Sequence, residues 1–500
     1  MPALFRIFGK RSGRMGVLEG IEPKNVFKYF EEICNIPHGS GNMEAISAYC
    51  VSFAVERGLE CERDDSNNVL IRKKGSAGCE QAAPLLLQGH LDMVCEKNFD
   101  YDPKFDFNKD PLRLAVMDDM VYAKGTTLGG DDGIAVAYML AILDDDTLKH
   151  PPLECLFTTD EETGMIGMAA FDTTSIKARR MINIDNETEG EILTSSAGGR
   201  KVHCHIPIRF VKKSGLAYDI VICGLLGGHS GSEIDKYRGN ANLLMGRLLH
   251  CLSGRLDYSI YYLKGGLQDN AIPREAKASV IIDSKDAAIF EDFITEFELT
   301  IINEYRKIED NITIYCEAKG DSTESVLTDK TQERVIFLLM TVPDGITKMC
   351  PEAESIVQTS SNAGIMRLRD EYFSLIISIR SSIKSEKIAL SDKIRYLTET
   401  IGGEYIEESD YPAWEYREKS PLRTITANTY EELFNKKPRV TAIHAGLECG
   451  IMYDKIGGMD IISIGPDIED IHTPKEKLSI DSVRRTWQLL VKVMEKCVNE

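Results

Sequence analysis

The sequence has no apolar run long enough to cross a bilayer, so no membrane-spanning helix is expected. It has no Cys-x-x-Cys pair among its 13 cysteines. An odd number of cysteines, scattered through a chain long enough to bury its own core, reads as reduced thiols rather than disulfide staples. A cytoplasmic location is the expectation. There is no excess of positive charge: 59 Lys and Arg stand against 79 Asp and Glu, for a formal net charge of −20. That balance sets aside nucleic acid and anionic membrane as main partners. Low-complexity tracts and blocks of like charge are also missing. Basic residues cluster in the first 14 positions, MPALFRIFGKRSGR. Their apolar patch is too short for a signal peptide and no small-residue cleavage site follows. The segment is expected to be a disordered arm or an upstream start, with Met15 opening the ordinary chain.

What is present is an alternation of strand-like and helix-like segments. A chain of 500 residues can hold two to four domains. Helices are expected over 24–34 and 43–57, and apolar strands over 85–89, 153–159, 180–184 and 461–465, with a final helix over about 480–497. This alternation is the mark of an α/β sheet. The middle of the chain differs. Residues 275–306 read as a strand followed by a long helix, and 371–401 repeat the plan, closed by Gly402-Gly403 in the manner of a C-cap. The expected architecture is a discontinuous catalytic domain, 1–198 and 405–500, with a central mixed sheet flanked by helices. An α+β domain of two related strand–helix modules, 199–404, is inserted in it.

Acids and histidines fall just past the apolar strands. LLLQGHLDM places His90 and Asp92 there, LECLFTTDEETG places Glu161 and Glu162, RRMINIDNETEGE places Asp185, and IISIGPDIEDIHTP places His472. In open α/β sheets ligands bind outside the carboxyl ends of the strands. A fifth element, GTTLGGDDGIAVAYMLAIL, is a glycine-rich loop entering a helix that is apolar all round, with Asp131 and Asp132 at its start. One carboxylate suffices for a helix cap, which leaves the other for different work. A catalytic zinc takes about three protein ligands from His nitrogen and carboxylate oxygen. Five such residues serve two metals if one carboxylate bridges them, about 3.5–4 Å apart. A water between them becomes a nucleophile near neutral pH, and a carboxylate that is not a ligand must carry its proton. The adjacent Glu161 and Glu162 can divide those tasks, and Asp92 is placed to fix the His90 tautomer. Taken singly, each residue also fits a plain structural role: a loop histidine, a solvated acid, a cap.

At these residues the chain resembles the aminoacylase/carboxypeptidase-type zinc peptidases, on their aminoacyl-histidine (Xaa-His, cytosol non-specific) dipeptidase branch. The resemblance runs nearly end to end, from IPHGSGNMEAIS (36–47) through QGHLDMVCEKN (88–98), GTTLGGDDGIA (125–135), DEETGMIGM (160–168) and DNETEGEI (185–192). It continues in GLLGGHSGSEI (224–234), GNANLL (239–244), NAIPREA (270–276), HAGLECG (444–450) and IHTPKEKL (471–478). It implies His90, Asp131 and Asp185 as ligands of one metal, and Asp131, Glu162 and His472 as ligands of the other. It also implies Glu161 as general base and acid and Asp92 as the residue orienting His90. In the inserted domain, which resembles the family's lid and dimerisation domain, it implies His229 as the group polarising the scissile carbonyl. Asn270 and Arg380 would hold the substrate's backbone and carboxylate, and Glu448 its amino end. His229 can also be a turn histidine, Arg380 a sheet-surface charge and Glu448 a helix cap. The family pattern carries Asp-Asn-Gly where this chain has Asp131-Asp132-Gly133, and the segment before His472 is more acidic than the pattern.

The expected activity is hydrolysis of unblocked dipeptides, Xaa-His such as β-alanyl-histidine included. Two Zn2+ (with Co2+ or Mn2+ as substitutes) bridged by a nucleophilic hydroxide are expected, in a homodimer formed through the inserted domain. The alternatives are an amidohydrolase of the same superfamily acting on N-acyl amino acids, and a metal-binding relative without catalysis. The presence of Glu161 argues against the last, because a purely structural metal site has no use for a base that is not a ligand.

Overall fold

The four apolar runs that precede the candidate ligands are neighbours in one sheet. A computed structural model describes residues 16–351 and 356–499; the basic segment 1–14 lies outside the described residues. The sheet has eight strands, in the order Glu60–Arg63, Val69–Lys73, Leu153–Thr158, Leu85–His90, Arg180–Asn183, Asp460–Ser463, Glu191–Ser196 and Arg439–Ile443. The four central strands, from Leu153–Thr158 to Asp460–Ser463, are mutually parallel. His90 pairs with Thr158, Gln88 with Asn183, and Asn183 with Ser463, so the carboxyl ends open on one edge. Leu85–His90 and Leu153–Thr158 are buried at every position, as strands covered on both faces must be. Among the described residues, no helix is long and apolar enough to cross a membrane.

Helices pack on this sheet by the periodicity of their apolar residues. Lys24–Cys34 buries Val26, Phe27, Tyr29, Phe30 and Ile33, a stripe at three- and four-residue spacing. The helix Gly130–Asp144 has no polar face at all: residues 130–143 are all buried. It lies against both Lys24–Cys34 and the strand Leu85–His90. Lys73 closes its carboxyl end, donating from Nζ to the carbonyls of Ile142 (3.2 Å), Leu143 (3.1 Å) and Asp145 (2.8 Å). These take an ammonium well because the last turn of a helix has no N–H partners of its own.

Contacts divide the chain into two units. The second comprises Ser195–Tyr416 and Ala442–Gly450, and the first comprises the rest. The second unit holds an antiparallel sheet of nine strands, with Tyr372–Ser381 between Val357–Leu368 and Gly198–Pro207. Both expected strand–helix modules are there: Ala276–Ile282 followed by Ala287–Tyr305, and Tyr372–Ser381 followed by Lys384–Thr400. The return to the first unit comes later than the expected residue 405. Glu404–Tyr411 pairs with Gly198–Pro207 and so belongs to the second sheet.

Gly89 marks where the buried helix meets the sheet. A side chain there would run into the Asp132 carboxylate and the Ala135 methyl. Gly89→Val is expected to cost at least about 1–3 kcal/mol, the usual range for an overpacked core. Denaturant unfolding measures it, and a variant as stable as the parent would contradict this close approach.

Candidate metal centre and active site

Four side chains from the ends of four parallel strands converge on Asp131, in the first turn of the buried helix. His90, the last residue of its strand, places Nε2 3.1 Å from Asp131 Oδ1 and 3.8 Å from Asp185 Oδ1. His472 places Nε2 3.1 Å from Asp131 Oδ2 and 3.0 Å from Glu162 Oε1. The two oxygens of Asp131 thus face two different histidines. Among the described residues two groups could hold a metal ion, His90–Asp131–Asp185 and Asp131–Glu162–His472, each with ligand atoms within 4.8 Å of one another. Asp131 belongs to both. His472 is held in the left-handed region, at φ 59°, which costs a non-glycine residue energy and recurs at functional sites.

The surrounding residues fix these groups. His90 Nδ1 lies 2.9 Å from the main-chain carbonyl of Asp92 and 3.5 Å from its carboxylate. Its proton therefore sits on Nδ1, leaving the Nε2 lone pair for a cation. The carbonyl, rather than the carboxylate, is the nearer partner. The Asp92 carboxylate instead gathers the backbone N–H groups of Glu161 (3.0 Å) and Glu162 (3.2 Å) and the Ser40 hydroxyl (2.9 Å). One buried acid thereby locks the loop that carries both glutamates. The peptide between Asp131 and Asp132 is cis, and neither residue has helical dihedral angles. Neither acts as a cap: Asp132 Oδ2 accepts from the His90 N–H at 3.1 Å, and Asp131 faces the two histidines.

The electrostatics are those of a centre built around positive charge. Burial alone would lower the His90 pKa, but Asp131 and Asp92 push it well above its ordinary value. The neighbouring Asp131 and Glu162 carboxylates raise His472 to about 10. Burial tends to raise Asp131, yet the two histidines hold it below the usual carboxylate range. Asp185 is pushed far up, first by burial and then by the charge of Asp132. Glu187 is raised to about 7 by burial and the charge of Asp131. Protons thus occupy positions where cations would neutralise the same carboxylates. The donor set fits a divalent cation in a second respect: Glu162 Oε1 is buried and accepts no hydrogen bond, although His472 Nε2 stands opposite it.

The remaining predicted residues lie in the second unit. The Ser232 N–H donates to His229 Nδ1 at 3.1 Å, which leaves the ring proton on Nε2. Burial and the charge of Arg380 lower the His229 pKa, so the ring is neutral and its Nε2–H can donate. Asn270 is exposed, but its flanking carbonyls, those of Asp269 and Ala271, both accept from Asn362 Nδ2 at 2.9 Å. The Asn270 carbonyl accepts from the Ser230 N–H at 2.8 Å, tying it to the residue next to His229. Arg380 is buried. Its Nη1 donates to the Tyr411 hydroxyl at 3.0 Å, while Nε has no hydrogen-bond partner among the described residues. Glu448 is fully buried in the first turn of the helix Glu448–Lys455.

Residues 86–496 match the peptidase family M20/M25/M40. The chain belongs to this family. It is a peptide hydrolase. It is 36% identical over 484 residues to the cytosol non-specific dipeptidase of Escherichia coli, covering 96% of this chain and 99% of that protein. The crystal structure of aminoacylhistidine dipeptidase from Vibrio alginolyticus superposes with a TM-score of 0.88 at 34% identity, over 96% of this chain and 98% of that one. An aminopeptidase structure from Bacillus cereus shares the fold, with a TM-score of 0.56 at 14% identity over 96% of this chain and 100% of that one.

Three supporting residues escape a reading by motif. Ser232 sets the His229 tautomer and Asn362 holds the Asn270 turn. Glu476 accepts the backbone N–H groups at the start of the buried helix. Ser232 and Glu476 stand inside sequence motifs, three residues after His229 in GGHSGSE and four after His472 in HTPKE; Asn362 stands in none.

The raised His472 pKa dictates a pH dependence. The protonated form persists across neutral pH up to about 10. A cation binds only the neutral ring and must displace that proton. Cation affinity of metal-stripped protein is expected to rise with pH, by about tenfold per unit for each proton displaced. Calorimetric titrations near neutral pH, in buffers of low and high ionisation enthalpy, should give different heats. Identical heats would refute proton release.

Proposed function

We propose that this peptidase is a di-metal dipeptidase that hydrolyses unblocked dipeptides, Xaa-His among them, with zinc as its cation. The observation that carries the proposal is the sharing of Asp131 between two three-residue ligand groups. Its similarity along almost the whole chain to a non-specific dipeptidase and an aminoacylhistidine dipeptidase supports the substrate class. His90, Asp131 and Asp185 would hold one cation, and Asp131, Glu162 and His472 the other. Imidazole and carboxylate donors suit zinc, and also accept cobalt or manganese. When bound, such cations acidify a water and polarise the scissile carbonyl.

The residues of the chain supply the rest. Glu161 takes the proton of the attacking water and delivers it to the leaving amine. Its backbone N–H is pinned by Asp92, which fixes the loop that carries the carboxylate. The neutral His229, with its proton on Nε2, donates to the developing oxyanion. Asn270 holds the substrate backbone, Arg380 its carboxylate and Glu448 its amino end. The Arg380 Nε, buried without a partner, supports an anionic ligand there, since a buried charge left unpaired is costly. A homodimer through the second unit is part of the reading. Exposed apolar residues on its helices support it, namely Leu299, Ile302, Phe337 and Met340. The absence of disulfide bonds among the thirteen cysteines supports a cytoplasmic setting.

Glu161→Ala is expected to lower kcat by at least about 100-fold, the lower range for losing a general base, while both cations stay bound. Steady-state kinetics and metal analysis of the same sample check it, and near-parent turnover would sink the assignment. A panel of free dipeptides, β-alanyl-histidine included, should be cleaved by the parent. Cleavage of N-acetyl amino acids in their place would make it an acylase.

A further inference from the structure

We propose that Glu476 is a positioning residue of the metal centre, holding the backbone of Leu128–Asp131 so that the Asp131 carboxylate faces both histidines. The inference rests on the two-cation reading of that centre. It stands on geometry. Glu476 is buried, with 3% of its surface exposed. Its Oε2 accepts from the N–H groups of Leu128 (2.8 Å) and Gly129 (3.2 Å), and its Oε1 from those of Gly130 (2.8 Å) and Asp131 (3.4 Å). The fourth of these donors is the backbone of the shared ligand itself.

The start of the buried helix needs such a partner. Its first N–H groups have no acceptor within the helix and lie in buried backbone. Its N-cap is Gly129, at φ 68°, which offers no side chain. The two acids that could cap it are engaged elsewhere, Asp131 with His90 and His472, Asp132 with the His90 N–H. A carboxylate brought from the far end of the sequence does the capping, and both aspartates are released for the centre. The lack of a side chain at Gly130 matters here, because a Cβ would stand 3.2 Å from Glu476 Oε1.

Glu476 also belongs to the segment that carries a ligand. It follows His472 by four residues, and its N–H donates to the Thr473 carbonyl at 3.1 Å in the intervening turn. One short segment thus presents His472 to Asp131 and grips the backbone on which Asp131 is mounted. Displacing the carboxylate would change the separation of two ligands of the same cation. Lys73 offers a built-in comparison: it closes the opposite end of the same helix and touches no ligand.

The test is Glu476→Gln beside Lys73→Met, each in the full-length protein. The glutamine keeps the shape, but its NH2 group would oppose two of the four N–H donors. The expected result is a folded, cooperatively melting protein whose zinc affinity falls about 10–100-fold, the range for losing a residue that orients a ligand. The absorption spectrum of the cobalt-substituted protein is expected to change. Lys73→Met is expected to lower the Tm while keeping the parent's zinc affinity and cobalt spectrum. If Glu476→Gln does not fold, Glu476→Asp takes its place with the same readouts and the same expected direction. Parent-like affinity and spectrum in the Glu476 variant overturn the proposal. So does a Lys73 variant that weakens zinc equally, because helix stability alone would then account for the effect. A parent that binds fewer than two cations overturns the two-cation reading, and this inference with it.

Discussion

A helix buried on every side must have its ends satisfied by the protein, and the rest of the first unit is arranged around that demand. Gly130–Asp144 presents no polar face, so its packing is wholly apolar and its electrostatics are confined to its ends. Glu476 meets the N–H groups at one end and Lys73 the carbonyls at the other, each with the sign that the helix dipole favours. Both charged groups are buried, and both are stabilised by several hydrogen bonds to backbone. The helix is thereby fixed along its axis as well as across it. That rigidity matters because the carboxylate in its first turn must meet two imidazoles at once.

The candidate metal centre follows from this placement and from parallel strands. Four adjacent parallel strands deliver His90, the Glu161–Glu162 loop, Asp185 and the His472 loop to one edge, and the helix delivers Asp131 across it. Gly89 lets the two layers approach until the Asp132 carboxylate reaches the His90 N–H. Such a concentration of acids would repel itself without a counter-charge. The direction of the shifts reports that frustration: Asp185 and Glu187 move up and the two histidines move up. The same groups would all be relieved by divalent cations, so the pattern of shifts and the pattern of ligand atoms point to the same chemistry.

Much of this was legible in the sequence, for a physical reason. Every proposed ligand but Asp131 lies at the end of an apolar strand or in the loop that follows one, and strand ends are where α/β sheets collect their ligands. Asp131 stood out as one of two acids where a helix start needs only one. The structure shows that neither is a cap, and the acid that does the capping was not legible because it lies some 345 residues away. The boundary near residue 404 was missed for a related reason. EYIEESDY carries no apolar run; it is an edge strand, mostly exposed, whose membership in the second sheet depends on pairing with residues about 200 positions earlier. Ser232 and Asn362 act through a backbone N–H and a pair of backbone carbonyls, contacts that depend on a turn closing, so neither composition nor spacing gives their roles.

Asp132 sets a second acid beside the shared Asp131, and the geometry says what that acid does. Its Oδ2 accepts the His90 N–H. An asparagine carbonyl oxygen can accept that bond equally well, so the architecture does not require the acid. What the acid adds is charge. Its carboxylate is the largest influence after burial in raising the pKa of Asp185, a proposed ligand of the centre. The carboxylate therefore makes a hydrogen bond that an amide could also make, and in addition deepens the negative potential on one side of the site. A deeper potential attracts protons and cations alike, so its effect on cation hold depends on pH. At low pH the added charge retains the proton on Asp185. Once that proton has gone, the same charge would strengthen the hold on a cation bound there.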